Sequence, residues 1–445
     1  MERFSAFLRS STDALSERPF RLLWMGQTGS AIGDALVGVA LAFAVLEVGG
    51  TAGDLGLVFA AFSVPRVLLT LAGGVWSDRL PRQRVMVACD LVRAAAQAIV
   101  STLLITGNGA TWHLVALAAV MGSASAFFVP ATTGLMPQVV SRDRLQQANA
   151  LVSISQSAAH IFGPLGAGLL VATVGPGWAF AVDGASFLVS AGFLLAIRIP
   201  PAGIDERRPF LAELADGWRE VASRRWVLVA IVTFAFSNAS LAAFQVLGPI
   251  VASRQLGGAA AWGVILAGGA VGGLIGGAVG LRWKPRRPLV PAFAVMAVAS
   301  VQLLFLVPPF PVPVVALGSM VAFAAIVMSN AFWDTMLQQH IPPAALSRVS
   351  SYDWMASLVL QPAAFAAVGP LSESIGAGET LLLAAGLGIA ANTAVLLVPS
   401  VRHLARREGP AGDAGLVTDA VAASAVAQPG SPASTASSSG SRPAK

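Results

Sequence analysis

Cysteine is almost missing from this chain, and Cys89 is the only one among 445 residues. No intrachain disulfide and no Cys-x-x-Cys metal site can be built from one cysteine. Histidine is nearly as scarce, and His113, His160, His340 and His403 are too scattered to point to a metal site. Charge is the third shortage: charged residues make up 11% of the chain, against about a quarter in an ordinary soluble domain. The motifs GxxxxGK[ST], HExxH and GxSxG are also absent. Their absence removes the phosphate loop, the zinc-protease helix and the nucleophile elbow. We therefore expect no catalytic residue, no metal, no cofactor and no enzyme, and no ATP-driven transport by this chain alone. The charged first twenty residues lack an A-x-A-type site, so no cleaved signal peptide is expected.

What the chain has in place of these is apolar length. Hydrophobic residues make up 56%, and mean hydropathy is +0.73. Apolar runs of about 20 residues or more recur, which reads as an all-α membrane protein. Twelve transmembrane helices are expected at about 20–46, 55–77, 84–106, 112–136, 145–174, 177–198, 226–251, 260–282, 288–308, 312–338, 346–372 and 379–399. Several exceed the crossing length, so tilt or extension beyond the bilayer is expected.

The basic residues orient this bundle. Of 28 Lys and Arg, Arg66 and Arg93 lie within spans, Arg254 lies in an outer loop, and Arg442 and Lys445 lie near the end of the tail. All the others fall in segments on one side. The positive-inside rule then puts both termini in the cytoplasm. The net charge of +6 is thereby used in short clusters between apolar runs, and a nucleic-acid partner is not expected. The Ala-, Gly- and Arg-rich, Lys-poor composition points to a high-GC bacterium, hence to its cytoplasmic (inner) membrane.

The longest internal loop divides the chain into residues 1–198 with six helices, a cytoplasmic linker 199–225, and residues 226–400 with six more. In the linker, Pro209 starts an expected amphipathic helix with Phe210, Leu211, Leu214, Trp218 and Val221 on one face. That face suits the inner leaflet, and a plain spacer helix is the equal alternative. Residues 401–445 form the tail. Its Ala-, Gly-, Ser- and Pro-rich part from Gly409 cannot bury enough apolar surface to fold, and we expect disorder there. A shift of 201 residues pairs Gln138 with Gln339, Leu145 with Leu346, Gly168 with Gly369, Gly175 with Gly376 and Gly177 with Gly378. The spans coincide at the same offset, so the two halves read as parallel, pseudo-symmetric repeats with a midplane substrate site between them.

Five stretches carry a family resemblance. The loop between spans 2 and 3 reads Gly74-x-x-x-Asp78-Arg79-x-x-Arg82-x-Arg84 and resembles the signature loop of the major facilitator superfamily. The resemblance implies a conformational switch between inward- and outward-open states. The equivalent stretch from Gly277 to Arg287 keeps its basic residues and has Leu281 where the acid would be, so control is expected to rest with the first half. In span 5, Gly163-Pro164-Leu165-Gly166-Ala167-Gly168 is similar to the antiporter-associated element of drug exporters, and small residues at helix contacts are also ordinary membrane packing. The segments Phe20–Asp34, Ala88–Ala94 and Leu145–Leu151 are similar to the twelve-helix drug, macrolide and siderophore exporter branch. That resemblance covers roughly residues 18–400.

Charged groups within the hydrocarbon cost about 2.5–3.5 kcal/mol each on insertion scales, which makes each a functional candidate. Asp34 and Arg66 lie at matching depths, about 21 and 18 Å from the inner side by helical rise. Asp90 and Arg93, three apart, share a face of span 3. We expect Asp34 to be the protonatable carboxylate, set against Arg66 or Arg93, and Asp90–Arg93 to be an ion pair fixing helix register. Asp183, Asp334 and Asp353 are further candidates to line a cavity or close a gate. His160 is expected to make an interhelical hydrogen bond, and Asn238, Gln245, Gln302, Asn330 and Gln361 are possible polar contacts. Span 8 carries Gly268, Gly272, Gly276 and Gly280 at four-residue spacing, read as packing within the chain. Aromatic residues including Phe234 and Trp333 can stack on a ligand or simply pack.

The expected function is proton-coupled efflux of a hydrophobic or amphipathic small molecule, such as an antibiotic or siderophore, by a monomer in the bilayer. The alternatives are an importer of the same fold and a non-transporting membrane receptor or scaffold.

Overall fold

The computed structural model describes residues 13–198 and 218–407. The chain divides into two compact units, Met1–Ala405 and Arg406–Lys445, and only Arg406 and Arg407 of the second are among the described residues. The first unit is a helical bundle, with no strand among the described residues. This is what a bilayer demands, because only a helix or a closed barrel satisfies every backbone N–H and C=O without water.

The first six spans are α1 (Arg18–Glu47), α2 (Ala52–Arg79), α3 (Arg82–Ile105), α4 (Thr111–Val139), α5 (Leu145–Val174) and α6 (Gly177–Ala196). The later ones are α7 (Arg225–Val251), α8 (Ala259–Arg282), α9 (Leu289–Ala299), α10 (Val312–His340), α11 (Pro343–Leu358), α12 (Gln361–Ile375) and α13 (Ala377–Ala394). Among the described residues, eleven helical segments are long and apolar enough to cross a membrane. The twelfth crossing is the shorter apolar stretch Leu289–Phe305, in which α9 tightens into a 3₁₀ stretch at Ser300–Phe305. The span expected at 346–372 is not one helix. It breaks between α11 and α12, where Pro362 stands in the first turn of the new helix, a position where a missing N–H costs nothing.

Successive spans run in alternate directions, with α11 and α12 counted as one broken span, so the loops collect at two ends. At one end, called here the far end, helices stop at glycines with positive φ, among them Gly175 (φ 90°) and Gly376 (φ 102°). These two residues are partners in the 201-residue repeat, and left-handed backbone is open to glycine without a Cβ penalty. The opposite end carries Pro81, Pro342 and most of the arginines and is called here the tail end.

The apolar core follows the same division. At the far end one cluster joins early and late spans, with Leu55, Val58, Phe244, Trp262 and Phe365 in common contact. Toward the tail end lie two larger, separate clusters. One holds Phe20, Leu23, Met86 and Leu135, all from the first six spans. The other holds Val227, Phe293, Met336 and Val349, all from the later ones.

Of the linker helix expected from Pro209, only residues 218–222 are described, and the rest of it lies outside the described residues. Val221 is buried beside Trp226. Trp218 stays half exposed, its ring 5.9 Å from that of Tyr352, so these two residues do not share one buried face. The tail from residue 408 also lies outside the described residues.

Candidate functional site

Two polar regions occupy the bundle. The first is built on α1, α3, α5 and α6. Along α3, Asp90, Arg93 and Gln97 follow one another at three- and four-residue steps and share a face. All three are buried. Arg93 Nη2 donates to Asp90 Oδ1 at 2.8 Å. The guanidinium lies 4.0 Å from the Phe128 ring centroid and 4.5 Å from that of Phe187. An arginine is therefore held in an apolar setting by one carboxylate and two aromatic faces. The expected Asp90–Arg93 ion pair is present, and the two rings, missed in the sequence, complete its cage.

One turn beyond, Gln97 donates from Nε2 to Asp183 Oδ2 at 2.5 Å. The Asp183 side chain, fully buried on α6, reaches α1 because residue 33 is glycine. A Cβ there would overlap Asp183 Oδ1 and crowd Ser186 Oγ. The sequence signal for this link was the 90, 93, 97 spacing, which places Gln97 on the charged face.

Asp34 follows Gly33, near the middle of α1, and its side chain is exposed. The charges acting on it are those of Arg93 and His160, and it acts in turn on Asp90 and Asp183. The structure therefore brings Asp34, Asp90, Arg93, His160 and Asp183 into one electrostatic neighbourhood. Arg66 lies 5.7 Å from the Phe62 ring one turn earlier on its own helix. His160 makes no hydrogen bond among the described residues; it is exposed and faces the Asp34 field. The interhelical bond expected for it is absent among the described residues.

The second region is a cavity of about 270 Å³ among the later spans. Its wall comes from α7 (Phe234, Asn238), α9 and its 3₁₀ extension (Met296, Gln302), α10 (Asn330, Asp334) and α11 (Asp353, Trp354). Trp333 Nε1 donates to Asp353 Oδ2 at 2.8 Å, and Ser357 Oγ donates to Oδ1 at 3.3 Å. Asn238 Nδ2 donates to the Ser357 carbonyl at 3.0 Å. Asn238, Gln302 and Asn330 thus come together here. Gln245 and Gln361 do not line the cavity.

The switch-loop residues lie at the tail end. Gly74, Asp78 and Arg79 are on the last turns of α2, and their side chains lie outside the described residues. Arg82 Nη1 donates to the Gly134 carbonyl at 2.5 Å, tying the start of α3 to α4. Gln83 ties it to α6 through the Leu194 and Ile197 carbonyls. Arg84 is exposed.

The Gly163–Gly168 element lies where early and late spans meet. A Cβ on Gly163 would overlap that of Ala35, and one on Gly168 would press on the Ala259 carbonyl. Pro164 presents its carbonyl to Gly263, where no Cβ fits. Gly166 is looser, near Leu36. A matching clasp joins α2 to α12: the Phe365 carbonyl faces Gly56, and Gly369 abuts Gly53. Phe59 stacks on Phe365 at 5.1 Å, and Gly53 N–H reaches Glu373 Oε1 at 3.4 Å. Pro164 and Phe365, like Gly168 and Gly369, are 201 residues apart. The repeat noted in the sequence therefore recurs as a pair of helix clasps at the far end.

Apolar spans that share a core at one end, part into two cores at the other, and hold charge at mid-depth define a polytopic membrane transporter. The comparisons give its family. The family model described as Major Facilitator Superfamily matches residues 23–360, and the chain belongs to that superfamily. It is 27% identical over 406 residues to the multidrug efflux pump Tap of Mycobacterium tuberculosis (strain ATCC 25618 / H37Rv), covering 87% of this chain and 94% of that one. It is 23% identical over 398 residues to macrolide efflux protein A of Streptococcus pyogenes, covering 86% of this chain and 97% of that one. Among solved structures, the nucleoside transporter NupG superposes with a TM-score of 0.69 at 11% identity, over 85% of this chain and 98% of that one. A bacterial homologue of the iron transporter ferroportin in an inward-facing state superposes with a TM-score of 0.66 at 17% identity, over the same shares. At such identities these two likenesses speak to the fold.

Proposed function

We propose that this chain exports a hydrophobic or amphipathic small molecule from a bacterial cell in exchange for protons, by alternating access. The observation that carries the reading is Asp34: a carboxylate exposed at mid-helix in a bundle clasped at its far end, within the field of Arg93 and His160. A carboxylate so placed can take a proton from one side and release it to the other as the clasps open and close. Protonation removes a negative charge from the field of Arg93, which stays paired with Asp90. Arg66 is a second basic group at similar depth on α2. Export, rather than import, is favoured by the relatives, which are named for efflux of several drugs and of macrolides.

In this reading Gly163, Pro164, Gly166 and Gly168 form the far-end clasp between α5 and α8. Gly74, Asp78, Arg79, Arg82 and Arg84 form the tail-end switch, with Asp78 as its latch. The chain works as a monomer of two six-helix halves, 1–198 and 226–400, joined by the linker 199–225 and followed by the tail 401–445. Both termini face the cytoplasm of the inner membrane, and there is no nucleic-acid partner.

The test uses inverted vesicles with an imposed proton gradient, reading uptake of ethidium and of a labelled macrolide. Asp34→Asn is expected to abolish gradient-driven uptake while leaving insertion and binding intact. Uptake by Asp34→Asn at the unaltered rate would remove Asp34 from proton coupling. Loss of uptake only when ATP is withdrawn would remove the gradient as the driving force.

A further inference from the structure

The cavity of the later spans has a chemistry that the export reading does not use. Two carboxylates face it, Asp334 and Asp353, and among the described residues no Lys, Arg or His lines it. Asp334 is exposed and has no hydrogen bond or ion pair among the described residues. Phe234, Trp333 and Trp354 supply aromatic surface, and Trp354 is 64% exposed, at the mouth. Gln302 is only 5% exposed, and its Oε1 has no hydrogen-bond partner among the described residues. A buried amide oxygen left without a donor costs about 1–3 kcal/mol. That oxygen is an acceptor waiting for an N–H. The volume of about 270 Å³ matches roughly nine waters at ~30 Å³ each. It is close to the lower end of the ~300–1,000 Å³ of small-molecule sites.

We propose that this cavity is a cation subsite that takes the protonated amine end of an amphipathic aromatic or alkyl amine. The ammonium sits between Asp334 and Asp353, its N–H is accepted by Gln302 Oε1, and its carbon groups lie on Phe234, Trp333 and Trp354. Carboxylates give the charge preference, and the ring faces favour an organic cation over a hydrated metal ion. Trp333 serves as both wall and brace, since its indole N–H fixes Asp353. This proposal rests on the export reading for its purpose, because it names the chemical class of the cargo.

The test is equilibrium titration calorimetry on the purified full chain, without a gradient. The probes are N,N-dimethylbenzylammonium, its quaternary counterpart benzyltrimethylammonium, benzenesulfonate, and sodium chloride. Both cations are expected to bind once per chain, and benzenesulfonate not at all. Asp353→Asn and Asp334→Asn should each weaken cation binding on the order of tenfold or more. Asp334 has no bond to lose among the described residues, so its variant separates charge from folding. Gln302→Leu should weaken the ammonium that carries an N–H and leave the quaternary one unchanged. Comparable binding of benzenesulfonate, displacement of the amine by millimolar sodium, or unaltered binding in both Asp→Asn variants would each overturn the subsite. Failure of gradient-driven uptake in vesicles, with charge-dependent amine binding intact, would instead refute export and leave the subsite standing.

Discussion

Replacing Arg93 by methionine isolates what the buried charge cage is worth. Methionine keeps an unbranched chain between Phe128 and Phe187 and removes only the guanidinium. Asp90 and Arg93 are 0% and 4% exposed, and their contact is 2.8 Å. Removing one partner of such a pair leaves a buried charge uncompensated, which costs about 3–5 kcal/mol. The two ring contacts add roughly 0.5–2 kcal/mol each. Together these are a large share of the ~5–15 kcal/mol that holds a typical native state. The Arg93→Met/Asp90→Asn double variant removes both charges, and it should recover most of the first loss. The coupling between the two sites should then be near the top of the ~0.5–3 kcal/mol range of contacting pairs. The assay is unfolding of detergent-purified protein followed by tryptophan fluorescence, run as a four-member cycle. Wild-type stability in Arg93→Met, or simple additivity in the double variant, would refute the cage as a paired unit.

Other consequences are as direct. Gly276→Leu should destabilise by about 1–3 kcal/mol or more through overpacking, because a Cβ there overlaps the Ala324 carbonyl; Gly277→Leu, with only Val327 nearby at ordinary contact distance, should be tolerated in the same unfolding assay. Gly263→Val should pry α5 from α8. In a Cys89→Ser background, a cysteine pair at Thr51 and Glu373 should then crosslink less than in the parent. Gly33→Ala should displace the Asp183 carboxylate from the α1–α6 contact and lower gradient-driven uptake without blocking insertion. Asp78→Asn should insert normally and turn over slowly, and normal uptake would return its loop to a purely topogenic role.

The spans were legible because hydropathy and helix length are one-dimensional quantities. The break in span 11 was signalled by Pro362, but a proline in an apolar run marks a kink, a restart or neither until neighbouring helices are placed. Depth was legible for the same reason as length, and azimuth was not. Asp34, Arg66 and Arg93 could all be placed at mid-membrane by helical rise, yet only rotation about each axis decides which of them meet. That rotation put Arg93 in the Asp34 field and turned Arg66 toward Phe62. The aromatic cage of Arg93 was hidden for a further reason. Phe128 and Phe187 come from α4 and α6, and nothing local marks one phenylalanine among many as a partner of a distant charge. The cavity of the later spans was half legible, since Asn238, Gln302, Asn330, Asp334 and Asp353 all stood out as polar residues in apolar runs, but only the fold gathers them.

The glycine face of α8 constrains how this bundle can move. Gly268, Gly272 and Gly276 lie against the carbonyls of Ala316, Met320 and Ala324 on α10, three teeth on each side at the same four-residue pitch. Such a rack fits only in register. A slide of less than about 6 Å, four residues of helical rise, would drive backbone carbonyls into Cα atoms, and a slide of a whole tooth would empty one end. Helices α8 and α10 therefore behave as a single plank. Since α8 also carries the clasp at Gly263, force applied at that clasp must swing α10 as well, and with it the wall of the cavity that holds Asp334.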